Sequence, residues 1–150
     1  MAGSIAALYY HIVFSTKERL PFLTPQIAPR VHEYLGGIIR SQGGISLGIG
    51  GMPDHVYVLA SLNKNAAVSA SIGDFKCNAT GWIHDTFPDL QHFAWQEGYG
   101  AFFVSVSGLE RVKAYIARQE MHHHTVTFQD EFVEFLRRHG IAYDERYIWK

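Results

Sequence analysis

A histidine and a tyrosine stand two residues apart in Asp54-His55-Val56-Tyr57, inside an apolar run. A tyrosine and a glutamine stand four residues apart in Tyr115-Ile116-Ala117-Arg118-Gln119, with His122 and His123 close behind. Strand alternation puts His55 and Tyr57 on one face, and helical spacing does the same for Tyr115 and Gln119. A metal-assisted tyrosine nucleophile acting on a phosphodiester needs that set of parts. Each part also has a plain use: a hydrogen-bonded histidine and a half-buried aromatic in the strand, boundary packing in the helix. One part is irregular, because Tyr57 stands where a second imidazole is expected.

The neighbouring residues extend the set. At about 100° per residue, Tyr115, Gln119 and His122 lie roughly 90° to one side of the Leu109/Val112/Ile116 stripe, at the edge of the buried face. Arg111 and Arg118 sit on the same flank and could hold phosphate, although taken alone they read first as a solvated helix face. His122-His123-His124 diverge in direction on a helix and cannot all ligate one ion; His122 is the best placed to approach Gln119. Lys76 is a further candidate phosphate contact, with a snorkelling surface lysine as the bland alternative. His11 joins the set if the strand register puts it on the His55 side of the sheet. Cys77 has no base partner visible nearby and reads as packing.

These residues need elements to position them. Leu8 to Ser15 alternates as a strand. Thr24-Pro25 reads as a cap and first-turn proline for a helix through Ile27, Val31, Leu35 and Ile38, stopped by Gly43-Gly44. Ile45 to Gly50 and His55 to Leu62 form a hairpin across Gly51-Met52-Pro53-Asp54. Val68, Ile72, Phe75, Ala79 and Trp82 mark a second helix, weakened by Gly73 and Gly81. Ala101 to Val106 is a fourth strand. Ser107-Gly108-Leu109-Glu110 reads as a capping box opening a third helix. Phe128 to His139 is a last amphipathic helix closed by Gly140. The order resembles an α+β split βαβ sandwich of ferredoxin-like type, an antiparallel sheet of four to five strands with C-terminal helices.

The 150 residues fit one domain, 1–150, and with 47% apolar residues the chain is globular. A single cysteine excludes an internal disulfide framework and fits a reducing cytoplasm. No leader pattern is visible, and the longest apolar run, Ile5 to Phe14, is too short to span a bilayer, so no membrane partner is expected. A formal charge of −1 argues mildly against a broad electrostatic nucleic-acid binder and leaves a local basic patch open. Nine histidines are many for this length, and several titrate near neutral pH.

Taken in order, several segments resemble one family. They are Tyr10-His11-Ile12-Val13-Phe14-Ser15-Thr16-Lys17, Asp54-His55-Val56, Phe75-Lys76, Trp95-Gln96-Glu97-Gly98-Tyr99-Gly100-Ala101-Phe102, Tyr115-Ile116-Ala117-Arg118-Gln119-Glu120 with His122-His123, and Tyr143-Asp144-Glu145-Arg146-Tyr147-Ile148-Trp149. The chain resembles the HUH-type single-tyrosine transposases of small bacterial insertion sequences, the IS-two-hundred/IS-six-oh-five class. The resemblance implies that Tyr115 attacks a phosphodiester of single-stranded DNA, leaving a 5′-phosphotyrosine link and a free 3′-hydroxyl. It implies a divalent metal ion, magnesium or manganese, held by His55, Gln119 and position 57. It further implies DNA hairpins at the element ends as ligands, and a homodimer in which the tyrosine helix often completes the partner's site. The covalent link conserves the bond energy for rejoining, so no nucleotide cofactor is required.

Tyr57 departs from the family pattern. A neutral phenol is a poor ligand for a divalent ion, and ionising it in place costs free energy. Three outcomes are open: another side chain such as His122 or His11 completes the site, the ion is held weakly by His55, Gln119 and waters, or the chain is a catalytically impaired binder of hairpin DNA. Outside the family, a ferredoxin-like RNA-binding domain would require exposed aromatics on the central strands.

Overall fold

The computed structural model describes residues 3–118 and 128–144. Tyr9–Ser15 (β1), Ile45–Met52 (β2), His55–Ser61 (β3) and Gly100–Val104 (β4) form one antiparallel sheet in the order β2-β3-β1-β4. Helices Ala28–Ser41 (α1) and Val68–Thr86 (α2) make the crossovers, and Leu109–Ala117 (α3) and Phe128–Arg138 (α4) follow β4. This is the α+β, ferredoxin-like order with helices added at the C-terminal end. No described helix is long and apolar enough to cross a membrane.

The register decides which side chains meet. Val13 faces Tyr57, His11 faces Leu59 and Ser15 faces His55 across β1 and β3, while His11 faces Phe102 across β1 and β4. Side chains alternate along a strand, so His11, Val13, His55, Tyr57, Leu59 and Phe102 share one face. Ile12, Phe14, Val56 and Val58 take the other face and pack on Val31, Leu35 and Ile39 of α1 and Ile72, Phe75 and Ile83 of α2. The first face packs on Ile116 of α3 and on Phe132 and Leu136 of α4. Helices therefore cover both faces, which is why β3 reads as a nearly unbroken apolar run.

Two glycines let the C-terminal helices come close. Gly50 pairs with Tyr57, and a Cβ there would lie 2.7 Å from the Ile116 carbonyl oxygen. Gly100 pairs with Val13, and a Cβ there would lie 2.9 Å from the Phe132 ring. The first contact is with backbone and cannot be relieved by rotating a side chain. Gly50→Ala is expected to lift the end of α3 that carries Tyr115 and to cost about 1–3 kcal/mol in a urea melt.

Local readings need three corrections. Thr24-Pro25 does not open α1: the Thr24 carbonyl accepts from the Ile27 and Ala28 amides in a preceding turn, and Pro29 sits in the first turn of the helix. Ser107 caps nothing, because a 3-10 turn over Val106–Gly108 runs straight into α3 and the Ser107 hydroxyl meets that of Ser105 at 3.0 Å. Cys77 is exposed on α2 rather than packed.

Candidate active site

The candidate residues gather around Tyr57. Strand β3 places its ring in the core with no exposed surface, 5.1 Å from the His55 ring, 5.0 Å from the His11 ring and 5.9 Å from the Tyr115 ring, centroid to centroid. The Tyr57 and Tyr115 rings stack at 20°. Tyr115 reaches this point because α3 rests on Gly50, the neighbour of Tyr57 in β2. The half-buried Tyr115 lines a cleft of about 580 Å³ with His11, Phe102, Arg111, Glu131 and Arg138. The phenol, the motif imidazole and position 57 thus converge within one subunit.

Hydrogen bonds set the chemical state of these groups. His55 Nδ1 donates to Asp54 Oδ1 at 2.8 Å, an arrangement that orients the ring and leaves Nε2 as the nitrogen a metal would use. The Tyr57 hydroxyl donates to the carboxylate of Glu131, from α4. Burial pushes the Glu131 carboxyl up to about 8. Burial, then the charge of His139, pushes His11 down to about 4. The Nε2 atom of His11 is buried with no hydrogen-bond partner among the described residues.

His32 on α1 is likewise pushed down to about 4 by burial. Both imidazoles stay neutral in the fold but take up protons near pH 6.5 in the unfolded chain. The stability this contributes is complete above pH 6.5 and is lost as the pH falls toward 4, by about 2–3 kcal/mol for each. Glu131 works in the opposite sense, because its raised value favours the fold below pH 4.5 and that contribution is lost as the pH rises through 8. The expected result in urea melts is therefore differential: His32→Gln loses about 2 kcal/mol less than the wild type between pH 7 and pH 4.5.

The remaining candidates are placed unevenly. Arg111 is exposed on α3, one turn before Tyr115, and Arg118 is exposed at the C-terminal cap of that helix. Lys76 lies on the opposite side of the sheet. It is buried, with its ammonium donating to the Gln96 and Gly98 carbonyls at 2.8 Å each and its pKa pushed down to about 8 by burial. That geometry ties down the segment entering β4, and any phosphate contact by Lys76 would lie across the sheet from Tyr115. Gln119 and His122 lie outside the described residues. Among the described residues, helices cover the central strands and bury Phe14 and Tyr57, where an RNA-binding domain would need exposed aromatics.

No three His, Cys, Asp or Glu side chains among the described residues gather to hold a metal ion. His55 fits as a ligand. The Tyr57 phenol, its proton committed to Glu131, does not. The Glu131 carboxyl beside it, once it gives up its proton, is a hard oxygen donor of the kind magnesium and manganese take. Sequence reasoning missed Glu131, although a signal was present: it falls immediately before Phe132 and four residues before Phe135, an acidic residue on the apolar stripe of α4.

Comparisons with known proteins identify the family and the fold. A family model described as "Transposase IS200 like" matches residues 4–119. The ISDra2 transposase TnpA of Deinococcus radiodurans is 24% identical over 122 residues, covering 78% of this chain and 87% of that protein. A crystal structure from Deinococcus radiodurans R1, described as that of a transposase, superposes with a TM-score of 0.65 at 23% identity, covering 79% of this chain and 95% of that one. The structure of a REP-associated tyrosine transposase bound to a REP hairpin superposes with a TM-score of 0.60 at 13% identity, covering 84% of this chain and 76% of that one. With the family model spanning most of its length, the chain belongs to the IS200-like transposases.

Proposed function

We propose that the chain cleaves and rejoins single-stranded DNA at insertion-sequence ends, with Tyr115 as the nucleophile. The observation that carries this reading is the seat of Tyr115 on the cleft, stacked on the side chain at position 57 of its own subunit. The phenol gives up its proton as its oxygen attacks phosphorus, the bond from phosphorus to the 3′ oxygen breaks, and that oxygen leaves and takes up a proton, so no net proton is gained or lost. The 5′ phosphate stays on Tyr115 until a 3′-hydroxyl reverses the step.

His55 and Gln119 would hold a divalent ion, which when bound supplies charge to a phosphate oxygen. Asp54 orients the His55 ring and leaves Nε2 for the ion. Arg111 and Arg118, on the helix of Tyr115, are the candidate contacts for the DNA backbone. The hairpin bound by the REP-associated relative supports hairpin DNA as the partner. A homodimer working in the cytoplasm completes the reading.

A second reading, a hairpin-DNA binder that has lost strand transfer, is favoured by the commitment of the Tyr57 hydroxyl to Glu131. The two separate on one measurement. The enzyme forms a covalent adduct with a single-stranded hairpin oligonucleotide in manganese; the binder shifts the oligonucleotide without ever linking to it.

A further inference from the structure

We infer that Glu131, carried in by α4, is the carboxylate arm of the cation site, and that the Tyr57 hydroxyl competes with the cation for it. The inference rests on the reading of the Tyr115 cleft given above and names a ligand that the motif does not contain.

The first support is reach. A phenol extends beyond the outer nitrogen of an imidazole by roughly one metal–ligand bond, about 2 Å. The Tyr57 hydroxyl therefore stands close to where an ion held by an imidazole at that position would stand. Among the groups it meets there is the carboxyl of Glu131. The phenol proton occupies the place of the cation and satisfies the same acceptor.

The second support is the cost of putting a carboxylate there. Glu131 is 6% exposed and lies on the face of α4 whose Phe132 and Leu136 join the core. Burying a carboxyl among such neighbours is unfavourable unless a partner compensates it. The Tyr57 phenol is one such partner, and it brings a hydrogen bond but no charge. A divalent ion would supply the charge. The third support is that the seat is built: Gly100 leaves room for the Phe132 ring, which brings this turn of α4 down onto the sheet beside β1.

Manganese binding tests the assignment without relying on activity. Metal-stripped full-length protein is titrated with manganese, with the free ion read by electron paramagnetic resonance and the bound state by thermal shift. Melts in EDTA report the folding of each variant. The wild type is expected to bind weakly, Glu131→Gln at least tenfold more weakly, and Tyr57→Phe several-fold more tightly. Tyr57→His is expected to bind more tightly still and to lose part of that gain when combined with Glu131→Gln. Binding by Glu131→Gln equal to the wild type overturns the inference, as does a Tyr57→Phe protein that binds no better than the wild type. If binding ignores Glu131 while the Tyr115 adduct still forms, this inference falls and the strand-transfer reading stands. If binding follows Glu131 and no variant forms an adduct, the cation site stands and strand transfer falls.

Discussion

Tyr115→Phe removes the covalent protein–DNA adduct, by roughly 10⁴-fold or more, while hairpin binding stays within about twofold of the wild type. The size follows from what is lost. A phenyl ring has no oxygen to attack phosphorus, and no other tyrosine among the described residues both lines the cleft and rides on α3. The stability of the fold should change little, since the ring keeps its stacking on Tyr57 and its edge contact with Phe135 at 6.2 Å. Binding should also persist, because the arginines proposed to hold the backbone are untouched. Denaturing gels of protein incubated with a labelled hairpin oligonucleotide and manganese give the measurement, and mass spectrometry locates the linked residue. An adduct that survives Tyr115→Phe assigns the nucleophile elsewhere.

The strands and helices were legible because both periodicities are strong in this chain. β1 and β3 carry their pattern on two buried faces, and α1 carries Val31, Leu35 and Ile38 at helical spacing into the same core. Starts were harder to read. Thr24-Pro25 has the residue types of a cap, but its carbonyl is spent on a turn; Ser107 has the right offset from Glu110, but a 3-10 turn occupies the place of the cap. These outcomes depend on how the chain enters the helix, which residue type does not encode. The side of the sheet taken by His11 depends on strand register and could be read only from the pairing.

The site itself was partly legible. His55, Tyr57 and Tyr115 were singled out from their spacing together with the family resemblance, and tertiary packing brings their rings to one point. The seat of Lys76 could not be read from residue type, because a lysine on a helix normally snorkels to water, whereas this one is pinned by two carbonyls across the sheet from Tyr115. Glu131 went unremarked because an amphipathic helix with many acidic residues offers no reason to single one out until its turn meets Tyr57. The negative charge of the chain looked unpromising for DNA, yet phosphate contacts need only a few local cations, the role proposed for Arg111 and Arg118.

Tyr57→His is expected to raise cleavage of a hairpin substrate in manganese by about ten- to a hundredfold. The imidazole is neutral at pH 7 and ligates without the cost of ionising a buried phenol. Its shorter reach also vacates the place of the Tyr57 hydroxyl and releases the Glu131 carboxylate. The fold bears a cost, because Tyr57 is the largest fully buried side chain among the described residues and the smaller ring leaves a void, about 1–3 kcal/mol in metal-free buffer. Manganese should recover part of that loss by mass action, so the gap in melting temperature between variant and wild type narrows as the ion is added. Cleavage and thermal shift must rise over the same range of manganese concentration if one bound ion is responsible for both. Cleavage unchanged from the wild type, with the variant folded, would mean that position 57 does not limit the site and that a neighbouring imidazole, His11 or His122, already serves as the ligand.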